Sequence, residues 1–69
     1  MTPDEFDQKR RELIQMRTKY ADREEVANRI NNLLGQLETW QEAEDDVHRE
    51  QIDKMVMRSI LELDRLTSQ

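Results

Sequence analysis

Val26, Ile30, Leu33, Leu37 and Trp40 step along the chain by four, three, four and three. That spacing returns every one of these side chains to the same side of a helix with 3.6 residues per turn, and a strand, with its period of two, cannot accommodate it. Ala27 and Leu34 flank the row and widen it into a stripe that something apolar has to cover. The segment is therefore expected to be helical and to need a packing partner. Nothing elsewhere opposes helix: Gly and Pro occur once each, and β-branched residues are few and scattered. The 39% of charged residues alone would suit disorder, but disordered chains lack this periodicity and are usually rich in Pro. The expected class is all-α.

Start signals divide the chain. Thr2 to Glu5, "TPDE", is a capping box with proline at the first helical position, so a helix starts there. A second box, "DREE" at Asp22 to Glu25, permits a new start. The apolar phase nevertheless runs on across it, since Phe6, Leu13, Met16, Tyr20, Ala27, Ile30, Leu34 and Leu37 share one heptad frame with Lys9 and Arg23 at two of its core positions. One long helix over residues 3–41 is thus an alternative to two. Gly35, inside the strongest stripe, is expected to mark the close approach of a neighbouring helix.

A third stripe carries Ile52, Met55, Val56, Ser59, Ile60, Leu63 and Leu66. From Trp40 to Ile52 the helical rotation comes to about 120 degrees, so one straight helix could not bury both stripes against one partner. A corner is expected near Gln41 to Asp46, with Asp45 or Asp46 as N-cap and further acids favoured near the positive helix start. The expected helices are 3–20, 23–41 and 46–66, forming a small three-helix bundle or a long helical hairpin. A chain of 69 residues buries a limited core, and it has no cysteine to staple one, so completion by self-association is expected, as a dimer by preference.

Two faces look in need of cover beyond the chain's own core. Met57 and Leu61 stand four residues apart on a side of the third segment other than the Ile52, Val56, Ile60 and Leu63 row. Leu13 and Ile14 are adjacent and point about 100 degrees apart, so the first helix also has two directions to satisfy. With Trp40 at the end of its stripe, these five are the candidate subunit or partner contacts. Methionine suits such a surface because its thioether is soft and adaptable.

The net charge of −5 lies wholly in the second half: residues 35–69 hold nine acids and four bases, while residues 1–34 are balanced. Glu38, Glu42, Glu44, Asp45 and Asp46 form a run with no base among them, a candidate acidic surface. The basic cluster Lys9 to Arg11, with Arg17 and Lys19, is small for an acidic chain and is expected to pair with acids rather than phosphate. A helix-turn-helix reading fails because its recognition helix would be the most apolar segment of the chain. Direct nucleic-acid binding is not expected.

Chemistry finds little to work with. His48, the single histidine, follows Glu44 and Asp45, yet a di-iron bundle would need further ligands from symmetric copies. A calcium loop begun at Glu42 fails at its sixth position, where Val47 stands in place of the glycine the turn requires. Ser59 sits on the apolar stripe, and no nucleophile motif or phosphate loop is present. No catalysis, metal or cofactor is expected. Nor is a membrane span, because no apolar run approaches the ~20 residues needed, and the acidic N-terminus lacks the form of a secretory leader. A soluble cytoplasmic chain is the expectation. Two function classes follow: a regulatory or adaptor protein that binds a protein partner, and an acidic mimic of nucleic acid that occupies a basic cleft.

Overall fold

A computed structural model describes Met1 to Ser68, and among these residues the chain forms α-helices and no strand: α1 Pro3–Lys19, α2 Glu24–Glu42 and α3 Asp46–Thr67. The all-α class and the three-helix architecture are as expected, each helix end falling within one residue of its expected place. The single long helix over residues 3–41 is not formed. Although the heptad phase is continuous, the chain breaks at Tyr20 to Arg23 and folds back, which lets the stripe of α1 cover that of α2. A straight helix would have carried the stripe of α1 away from that of α2.

The caps explain where each helix begins. Thr2 Oγ1 accepts the Glu5 amide at 3.2 Å, with Pro3 in the first turn, so the first half of the expected box forms. The "DREE" box does not: the N-cap of α2 is Arg23, which makes no side-chain cap bond. Arg23 instead extends its guanidinium to the Leu66 carbonyl at 3.4 Å and past the Tyr20 ring at 5.9 Å. That long-range bond ties the first link to the end of α3, a use of the residue that local sequence does not reveal. At the corner Asp45 is the N-cap, its Oδ1 accepting the Val47 amide at 2.9 Å. Neither link uses positive φ; Ala43 and Asp45 turn the chain in extended conformations.

α2 is the central helix. It packs along both α1 and α3, whereas no Cα of α1 comes within 8 Å of a Cα of α3. Its stripe of Val26, Ile30, Leu33 and Leu37 is buried between Phe6 and Leu13 of α1 and Ile52, Val56 and Leu63 of α3. Each such side chain contributes roughly 1.5–3 kcal/mol when fully buried, so this stripe contributes substantially to stability. Phe6 and Trp40 stack with centroids 5.5 Å apart and planes at 21°, fixing the start of α1 against the end of α2. The extents of 37 × 18 × 15 Å are those of helices lying side by side.

Two packing expectations are corrected. Gly35 is exposed, and a Cβ built on it would meet nothing within 4 Å, so no neighbouring helix approaches it. Its neighbours Leu34 and Leu37 carry the stripe onto α1 and the core, and Gly35 faces an open groove. Met55, placed with the core row of α3, is instead exposed, because it lies about 80 degrees around the helix from the line of Ile52, Val56 and Leu63.

Candidate functional site

α3 presents one side to the core and the opposite side to solvent, and the solvent side carries two large apolar residues left uncovered. Met57 is 65% exposed and Leu61 64%. They lie one helical turn apart, about 6 Å along the axis, on the face turned away from Val56 and Leu63. Their position on α3 follows from the 120-degree rotation at the corner: once Ile52 begins the buried row, residues five and nine further on must point outward. Neither is covered by the chain's own helices.

A groove runs beside this face, in the gap that the separated backbones of α1 and α3 leave open. Near the N-terminal ends it is lined by Met1, Glu5, Lys9, Asp53, Val56 and Met57, and encloses about 190 Å³. At this end the Met1 ammonium meets Asp53 Oδ2 at 2.8 Å, with the Met1 side chain largely shielded from solvent. Further along, Met16 and Ile60 line the groove, both half-buried. Met57 thus stands at the rim of the first hollow, with Leu61 one turn further along on the outer side of α3.

The other sequence candidates separate. Leu13 and Trp40 are only 4% and 7% exposed, and both side chains belong to this chain's own core. Ile14, at 36% exposure, lines a wider groove of about 560 Å³ between α1 and α2 together with Arg10, Arg17, Leu34, Gly35 and Glu38. This groove is polar in character, and Arg17 is engaged with the Asn31 side chain at 3.3 Å across it. The basic residues Lys9, Arg10, Arg11, Arg17 and Lys19 take no part in the described ion pairs, which join Met1 to Asp53 and Arg29 to Glu62.

Glu38, Glu42, Glu44, Asp45 and Asp46 are all exposed, spread over the last turns of α2, the link and the first turn of α3. Asp45 is occupied as the cap. The base that follows the run, Arg49, turns inward: its Nε donates to the Ala43 carbonyl at 2.8 Å and its guanidinium lies 5.1 Å from the Trp40 ring centroid. Phe6, Trp40 and Arg49 therefore form a stack that closes the corner. Sequence reasoning took the acids and missed this latch. A signal was present in an arginine one turn into α3 beside a tryptophan at the end of α2, but it requires knowing how the two helices cross.

His48 is exposed, and among the described residues no group of three or more His, Cys, Asp or Glu is placed to hold a metal ion. No helix among them is long and apolar enough to cross a membrane. Comparison with protein families, with curated proteins and with solved structures finds no match for this chain.

Proposed function

We propose that this chain acts by protein–protein contact, as a small non-enzymatic helical regulatory or adaptor protein in the cytoplasm that works as a homo-oligomer, with the outer side of α3 as its contact surface. The observation that carries this reading is the exposure of Met57 and Leu61 on a regular helix whose other side is already buried. Scattered exposed apolar residues are ordinary, but these two are one turn apart on the same helix, and Met57 also lines the hollow that holds Met1. A flexible methionine at the rim suits a surface that has to fit a partner.

A second reading has its own support in the five exposed acids between Glu38 and Asp46. In it the corner imitates phosphates and fills a basic cleft. The two readings differ in what weakens binding, since contacts between exposed charges are screened over roughly 10 Å at 0.1 M salt while apolar burial is not.

The test compares tagged wild type with the variants Met57→Ser/Leu61→Ser and Asp45→Asn/Asp46→Asn as baits, at low and raised salt. Asparagine preserves the capping role, so the second variant removes charge alone. The α3 reading expects bound protein to survive raised salt and the asparagine changes but to be lost with the serine changes. Binding that ignores Met57 and Leu61 and disappears with salt would overturn it in favour of the mimic.

A further inference from the structure

We infer that the outer side of α3 pairs antiparallel with α3 of a second copy of this chain, setting Met57 against Leu61 of the partner subunit and Lys54 against Asp64 of the partner subunit. This rests on the reading of α3 as the contact surface and names its occupant. The outer positions from Val47 to Ser68 repeat at alternating intervals of three and four, and every one of them is exposed. α3 thus carries a second heptad-spaced row beside the one that serves its own core, apolar at Val47, Met57 and Leu61 and polar at Glu50, Lys54, Asp64 and Ser68. At the centre of that seam are Met57 and Leu61, with Lys54 one step toward the N-terminus and Asp64 one step toward the C-terminus.

The order of these four residues selects both the partner and its direction. The pair Met57 and Leu61 and the pair Lys54 and Asp64 are centred at the same level along the helix, that of Ser59. One two-fold axis at that level therefore satisfies both pairs at once, as an interface between identical surfaces requires. Each apolar residue then meets the other apolar residue, and each charge meets its opposite, twice over. A parallel pairing in the same seam would set Lys54 on Lys54, Asp64 on Asp64 and Glu50 on Glu50, and like charges directly opposed are destabilising.

The flanks are compatible with this geometry. On the α1 side, half-buried Ile60 lies next to the axis and extends the apolar centre toward Met16 in the groove. On the other side Arg58 comes near its own copy, and its long stem carries the guanidinium out to water. A stable interface takes about 800 Å² from each partner, roughly a seventh of the 5294 Å² surface of this chain. Paired along α3, which at 22 residues is the longest helix, two copies would bring α1 of each close to the same interface and cover the open α1–α3 groove.

The test uses the full chain in sedimentation velocity over a dilution series, with helicity checked by circular dichroism for every variant. Wild type is expected to dimerise reversibly. Lys54→Asp or Asp64→Lys alone turns both symmetry-related attractions into repulsions and is expected to weaken the dimer by about tenfold or more, while the double variant restores it to within about threefold of wild type. Both residues are exposed, so the folded monomer is expected to keep its helicity. A double variant as weak as the single ones overturns the antiparallel register, because in a parallel dimer the exchange leaves like charges opposed. A wild type that stays monomeric at the highest concentration overturns the second copy as occupant, yet leaves the contact reading intact if a foreign protein still requires Met57 and Leu61. A dimer indifferent to Met57→Ser/Leu61→Ser overturns both.

Discussion

Gly35 is the residue whose role the tertiary structure changes most. Inside a helix glycine costs about 1 kcal/mol relative to alanine, a cost usually offset by a helix that approaches closely or by a positive φ. Neither applies, since the site is open and Gly35 does not have positive φ. Gly35→Ala is therefore expected to stabilise the protein by about 0.5–1 kcal/mol, read as a higher urea midpoint with unchanged m-value; a loss of stability would mean that some neighbour occupies that space in solution. Arg49 makes the opposite case. Its exposure in sequence terms is that of any charged residue after an acidic run, yet it holds Ala43 and covers Trp40. Arg49→Ala is expected to cost about 1–2 kcal/mol, and Arg49→Lys to recover only part, because an ammonium has no planar face to lay on the indole. Chemical denaturation of the three proteins side by side checks the order.

At the scale of the element, each helix divides its sides differently. α2 is buried on the broadest arc because helices lie on two sides of it. A shortened side chain there leaves a cavity that neither neighbour can fill without losing the other. Ile30→Ala is expected to destabilise by about 2–5 kcal/mol, measurable as a large drop in the thermal midpoint, with the same change at half-buried Ile60 costing clearly less. α1 contributes Phe6 and Leu13 and leaves Ile14 on a polar groove. α3 has two separate seams, one spent on the core and one free, and this asymmetry is what makes it the candidate contact element.

For the whole molecule, size is the governing fact. A chain this short leaves a large fraction of its surface in water, and a dimer through α3 would add burial that one copy cannot supply. Stability is then tied to concentration by mass action. The thermal midpoint is expected to rise as protein concentration increases, and Met57→Ser/Leu61→Ser to abolish that rise while leaving the midpoint at high dilution nearly unchanged. A midpoint independent of concentration in wild type would show that folding and association are not linked.

Much of this architecture was legible in residue order alone. The step of four, three, four and three from Val26 to Trp40 determined a helix and its buried side; Thr2 with Pro3 determined one helix start, and Asp45 and Asp46 narrowed a second to two residues; the rotation between Trp40 and Ile52 pointed to a corner and set Met57 and Leu61 on a side of the third helix other than its core row. These are properties of a repeating backbone, in which angle follows from sequence separation. What periodicity cannot express is which sides of neighbouring helices meet. Only the tertiary structure decided that the chain folds back at Tyr20 rather than running on, that Gly35 faces a groove, that Met55 falls outside the core, and that Leu13 and Trp40 are consumed internally. It alone brought Arg49 onto Trp40 and Arg23 to Leu66, because such contacts depend on helix crossing and spacing, which are set by the packing of all three helices at once and not by any one of them.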